Sequence, residues 1–259
     1  MGRKKRITII GSGNVAYHLA KNLFRNRTGA NFIYSRNKKA GDYLARQVFA
    51  HYTNRIEDTV SRTDIYMMAV SDDAIKDVVN KLEINNKILV HTSGIANTDM
   101  LKIATENYGC FYPLQTFTKK VDIEDYRDIP ILITASNLET EKTLVYLAKK
   151  ISKKVVIVSD FDRQKIHLSA VFVNNFTNHL FSLSSQYLSE NNLDFNLLKP
   201  LILETVNKIM KNKPIDNQTG PAKRNDKETI NIHLNLLKDE NLKEIYNVLT
   251  KSIYNTHNE

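Results

Sequence analysis

Apolar and polar positions follow two different rhythms along this chain. In the first part, short apolar runs alternate with stretches whose apolar residues recur at helical spacing. The runs at residues 7–10, 31–34, 65–70, 87–91 and 109–112 read as strands, as do 129–135 and 154–159, with a short one near 48–52. The run at 65–70 is apolar at every second position and between them, as a central parallel strand should be. Amphipathic stretches intervene at 39–50, 74–82 and 138–151, and Val15, Leu19 and Leu23 form a stripe behind the first run. Strand and helix in alternation predict an α/β Rossmann architecture, a doubly wound and mostly parallel sheet, for residues 1–159. From residue 160 no strand pattern remains. Helices are predicted at 160–191, 195–211 (Pro200 in its first turns), 227–238 and 241–255, with a loop at 212–225. Residues 160–259 therefore read as an all-helical C-terminal domain.

Composition narrows the class. Hydrophobic residues make up 42% of the 259 positions, enough for a globular core, and no apolar run approaches the roughly 18 residues that a membrane helix needs. The opening Gly2 to Arg6 is basic like a signal-peptide start, but only four apolar residues follow before a glycine turn, which argues against export. One cysteine, Cys110, excludes an internal disulfide and fits a reducing cytoplasm; as a residue it reads as buried packing before it reads as a nucleophile. The net charge of +9 is spread along the chain, with short clusters at residues 3–6, at Lys38-Lys39 and at Lys153-Lys154. No nucleic-acid module and no metal-ligand spacing is present, so a solvated surface and an anionic cofactor are the expected uses of that charge. Nucleic acid, membrane and metal are not expected.

The first run ends at Gly11-Ser12-Gly13, and helix-forming residues follow at once. Gly11-x-Gly13-x-x-Ala16 between strand and helix is the dinucleotide fingerprint. Gly11 allows the sharp turn, Gly13 lets a pyrophosphate approach the backbone, and Ala16 lets helix and strand pack closely. Gly11, Ser12, Gly13, Asn14 and Val15 would surround the pyrophosphate at the helix N-terminus. The second strand ends at Ser35-Arg36, where an NAD-binding chain commonly places an acid on the ribose. Serine and arginine there favour NADP over NAD, because both can hold a 2′-phosphate; the plain alternative is that Arg36 only closes a surface turn. Val70, Ser71 and Asp72, at the end of the run at 65–70, would border the nicotinamide ribose, although Asp72 and Asp73 also suit a helix N-terminus.

Candidate substrate groups come later. Thr92-Ser93-Gly94 ends one strand, and Gln115 follows another. His167, Val171, Asn174 and Asn178 stand at helical offsets 0, 4, 7 and 11, so a regular helix puts them on one face, with Asn175 beside them. Polar groups among apolar neighbours cost about 1–3 kcal/mol each if buried alone. They need a wet cleft, with His167 and Asn174 as catalytic groups and Asn175 and Asn178 on substrate, or else a partner helix. Lys223 and Arg224, in the loop after Thr219-Gly220-Pro221, are the anion-binding candidates.

Taken together, GSGNVAYHLA, YSR, VSDDAI, HTSG, FYPLQTF, VFVNNFTNHL and the Thr219-Gly220-Pro221, Arg224, Asp226, His233-Leu234 element resemble the Rossmann-like/DUF2520 family over nearly the whole chain. That resemblance implies an NADP-linked oxidoreductase whose C-terminal helical domain helps to make a homodimer. More distantly the chain is similar to pyrroline-5-carboxylate reductases and β-hydroxyacid dehydrogenases. The latter carry a catalytic lysine one turn before an asparagine that Asn174 or Asn175 matches; here Ala170 and Val171 stand in the lysine's place. The expected function is hydride transfer between NADP(H) and a small carbonyl or imine, with His167 supplying a proton. The competing expectation is a protein that binds or senses NADP(H) without turnover.

Overall fold

A computed structural model describes residues 5–123 and 125–258. Arg3 and Lys4 of the N-terminal basic cluster lie outside the described residues. By packing, the chain divides into two compact units, Met1–Asn174 and Asn175–Glu259.

The first unit is built on eight strands: β1 (Ile7–Ile10), β2 (Phe32–Tyr34), β3 (His51–Thr53), β4 (Ile65–Met68), β5 (Ile88–His91), β6 (Tyr108–Pro113), β7 (Ile131–Ala135) and β8 (Val155–Ile157). They lie in the order β3-β2-β1-β4-β5-β6-β7-β8. Every neighbouring pair is parallel except β6 and β7, where Phe111 faces Ile133 in an antiparallel ladder. The helices are α1 (Asn14–Arg25), α2 (Lys38–Gln47), α3 (Asp72–Val79), α4 (Leu138–Ile151) and α5 (Asp160–Ala170). Both sheet faces are covered. Ile7 and Ile9 join Leu19, Leu23, Phe111 and Leu144 on one face, while Ile10, Met68 and Leu89 join Ile75 and Leu101 on the other. Each such side chain contributes about 1.5–3 kcal/mol on burial. The strand order reverses between β1 and β4, and a doubly wound sheet opens its ligand crevice at the carboxyl ends beside that point.

Several boundaries differ from the pattern of the sequence. The third strand begins at His51 and not at 48, because α2 runs to Gln47 and Val48 closes it. The helix expected at 74–82 starts two residues earlier, with Ser71 at its N-cap and Asp72 and Asp73 in its first turn, where acids favour the helix dipole. Residues Ile56–Arg62 form a 3₁₀ segment.

The predicted helix at 160–191 is not regular. Between α5 and α6 (Thr177–Glu190), residues Val171–Phe176 are π-helical. A π-turn adds about one residue to the turn and offsets the phase of the helix beyond it. The offsets that set His167, Asn174 and Asn178 in line therefore do not continue past Val171.

The second unit is helical. It holds the last two residues of the π-helical segment, α6, α7 (Lys199–Ile209, with Pro200 in its first turn), α8 (Pro221–Arg224), α9 (Lys227–Leu236) and α10 (Glu240–Asn258). Gly220 takes a φ of +104° and Asn225 caps α8 in the left-handed region, so Thr219–Asp226 forms an ordered corner within the stretch that the sequence reads as a loop turning at Thr219-Gly220-Pro221. Asp226 caps α9 through the Thr229 N–H at 3.1 Å.

Candidate functional site

A cavity of about 740 Å³ opens at the carboxyl ends of β1, β2, β4 and β5, wholly within the first unit. Its floor is the glycine turn. Gly11 has a φ of +123°, and a Cβ there would overlap the Ala69 carbonyl; its N–H instead donates to Tyr34 O at 2.8 Å. Gly13 is different. A Cβ there would meet nothing within 4 Å, so the position faces open space, and α1 starts from it without a side-chain cap. That is the cradle a pyrophosphate requires.

Ser12 and Ser35 join the turn to the end of β2, their hydroxyls 2.8 Å apart. Ser35 Oγ also accepts the Asn37 N–H at 3.2 Å, and Asn37 caps α2 through the Ala40 N–H. Arg36 and Asn37 line the cavity beside them. Two hydroxyls, an amide and a guanidinium at the tip of β2, with no carboxylate among them, suit a 2′-phosphate and not a bare ribose diol. Gly13, Ser12, Ser35 and Arg36 thus fit NADP as a set. Asn14, Val15, Val70, Ser71 and Asp72 line the same cavity.

The far wall carries Ser93, Gly94, Gln115, Tyr112 and His167. Its central feature is a hydrogen bond between Tyr112 Oη and His167 Nδ1, 2.9 Å long, with the rings edge to face. Burial pushes the Tyr112 phenol up to about 12, so it stays protonated at neutral pH. Gly94 makes room for the imidazole: a Cβ on residue 94 would overlap the His167 ring. Among the described residues His167 Nε2 makes no hydrogen bond. Ser93 Oγ is engaged with the Ile95 and Ala96 N–H groups.

Helix α5, which carries His167, is tied to the sheet by a partly buried ion pair. Arg163 is fully buried, pairs with Asp160, donates to Thr134 Oγ1 at 3.0 Å and reaches the Ala96 carbonyl. Asp160 accepts the Thr98 N–H at 2.7 Å and the Thr98 hydroxyl at 2.9 Å. Burial alone would raise the Asp160 carboxyl; the Thr98 amide and Arg163 hold it below its ordinary value. Behind this wall His91 is buried, with Nδ1 accepting the Ser93 N–H at 3.2 Å and Nε2 without a partner among the described residues. Burial and the Arg163 charge push it down to about 4, so it stays neutral. Cys110 is buried and pushed up to about 12 by burial, the state of a packing residue.

Asn174 does not line the cavity; it falls in the π-helical segment, whose altered phase breaks the alignment with His167. Asn175, Asn178, Lys223 and Arg224 belong to the second unit. There Lys223 Nζ donates to Gln218 O at 3.0 Å, and Arg224 lies 3.7 Å from Asp226. Tyr112 and Asn37 are the residues that sequence reasoning missed. The available signal for Tyr112 was its place at the carboxyl end of a strand beside the one delivering Ser93.

Among the described residues, no helix is long and apolar enough to cross a membrane, and no cluster of three or more His, Cys, Asp or Glu could hold a metal.

Residues 6–94 match the family described as NADP oxidoreductase, coenzyme F420-dependent, and residues 129–253 match the domain of unknown function DUF2520. No curated protein matches the chain significantly. Among solved structures, the chain is 34% identical to BF3122 from Bacteroides fragilis, provisionally described as an NADP oxidoreductase, with a TM-score of 0.90 over 97% of this chain and 98% of that one. Protein TM1727 from Thermotoga maritima is 21% identical, with a TM-score of 0.73 over 97% and 98%. An imine reductase variant from Myxococcus stipitatus, in complex with NAD+, is 15% identical, with a TM-score of 0.61 over 98% and 96%. The last two share the fold. With a relative 34% identical over nearly the whole of both chains, this chain belongs to the family of NADP oxidoreductases, with a C-terminal region that matches DUF2520.

Proposed function

We propose that this protein transfers a hydride between NADP(H) and a small carbonyl or imine, with His167 as the proton donor. One observation carries the reading: the Tyr112–His167 pair lines the same cavity as the dinucleotide turn. NADPH, when bound, supplies the hydride. The chain supplies position and a proton. Gly11 to Val15 hold the pyrophosphate, and Ser35, Arg36 and Asn37 hold the 2′-phosphate. Val70, Ser71 and Asp72 border the nicotinamide end, where Ser93, Gly94 and Gln115 form the substrate wall. A protonated His167 keeps Nδ1–H on Tyr112 Oη and presents Nε2–H to the heteroatom that gains charge. Donating that proton leaves a neutral imidazole still seated against Gly94. Histidine is the side chain most often used as a general acid of this kind. The helix lysine of hydroxyacid dehydrogenases is not required for it. A reducing, cytoplasmic setting fits both NADPH and the lone buried Cys110.

The functional molecule in this reading is a homodimer. Among its described residues, the second unit buries only Ala222. Leu201, Val206 and Ile209 on α7, and Val248 and Leu249 on α10, stay exposed. A helical layer with no core of its own must cover its apolar face, and a second copy offers the matching surface.

The test is NADPH oxidation across a panel of small carbonyls and preformed imines. Turnover with any member is expected. His167→Ala should lower kcat by about 10²–10³ with NADPH affinity within about twofold of the parent, and Tyr112→Phe should lower it less. Tight NADPH binding with no turnover across the panel would favour the binding or sensing role instead.

A further inference from the structure

We infer that Lys119 is a second-sided clamp on the cofactor's pyrophosphate, delivered by the loop that follows β6. Its ammonium donates to the Ser12 carbonyl at 2.6 Å, across the glycine turn from a position 107 residues away. Ser12 precedes Gly13, where α1 begins, so Lys119 brings a positive charge to the positive end of a helix dipole. Among the described residues no carboxylate pairs with Lys119 to offset it. A cation held at a helix N-terminus is stabilised by an anion placed between the two, and the open space at Gly13 is where that anion fits.

The loop is not there by chance. His18, on α1, donates from Nε2 to the Thr118 carbonyl at 2.9 Å and stacks on Phe117 at 5.0 Å. Asp122 bonds Lys21 at 2.5 Å and Arg25 at 3.2 Å, both on the same helix. Contacts on both sides of Lys119 thus hold the loop along α1 and aim the ammonium at the turn. The helix that offers its amides to one side of the pyrophosphate also anchors the loop that offers a charge to the other. Because pyrophosphate is common to NADPH and NADH, Lys119 strengthens both alike, whereas Arg36 discriminates between them.

The inference rests on the proposed cofactor cleft, and direct binding titrations separate the two. NADPH, NADH and 2′-AMP, which carries the 2′-phosphate without a pyrophosphate, are titrated into wild type, Lys119→Met, Lys119→Arg and Arg36→Ala. Lys119→Met should bind NADPH and NADH each about tenfold more weakly and 2′-AMP as wild type does. Lys119→Arg should restore most of the loss, and Arg36→Ala should lose NADPH and 2′-AMP but not NADH. Wild-type binding with unchanged affinity in Lys119→Met overturns the inference alone. An equal loss of 2′-AMP in Lys119→Met overturns it too, since that marks general loosening of the loop. Failure of wild type to bind either dinucleotide overturns the cleft, and the clamp with it.

Discussion

His91 shows how a single buried side chain ties this fold to pH. Its imidazole sits at the carboxyl end of β5, and the Ser93 amide donates to Nδ1, so the proton resides on Nε2, which has no partner among the described residues. Burial, with Arg163 nearby, holds it down to about 4, against the opposing carboxylates of Asp160 and Asp72, whereas the unfolded chain titrates near 6.5. Between those values the unfolded state binds the extra proton. Stability is therefore full above pH 6.5 and falls as pH drops toward 4. From pH 7 to pH 5 the share owed to His91 is roughly 2 kcal/mol. Urea unfolding at the two pH values should show that much smaller a fall for His91→Gln than for wild type; identical falls would mean that His91 is not buried neutral. Gly94 works at the same scale, in the opposite sense: it contributes by having no side chain, and the space it leaves is filled by the His167 ring.

At the scale of elements, much is legible from residues that adjoin in sequence. The turn from β1 into α1 can be read because steric demands at Gly11, Gly13 and Ala16 are local and written within six consecutive residues. The tip of β2 is legible for the same reason, since Ser35 and Arg36 adjoin in sequence what they adjoin in space. Tyr112 is not, because its partner is 55 residues distant and only the β5–β6 pairing and the packing of α5 bring the two together. Asn174 lies off the cavity for a different reason. A helical wheel assumes a constant 3.6 residues per turn, and nothing in Val171–Phe176 advertises the wider turn that spoils the phase. Lys119 is one lysine among many until the His18 and Asp122 contacts fix its loop on α1. Local chemistry reads well from sequence; partners that tertiary packing supplies do not.

At the scale of the molecule, a sheet unit with a dense core and a helical unit almost without one predict association. Light scattering at micromolar concentration should give twice the chain mass. Charge placed on α7, as in Leu201→Lys with Val206→Glu, should shift the mass toward the monomer, and a wild-type monomer would refute the homodimer. The central claim, an NADP site at the reversal of strand order, is tested most directly by calorimetric titration of the wild type and Arg36→Ala with NADPH and NADH. The account predicts that wild type prefers NADPH, and that Arg36→Ala loses about tenfold or more for NADPH while its NADH affinity is unchanged. Equal affinity for the two cofactors in wild type, or no binding of either, would contradict it.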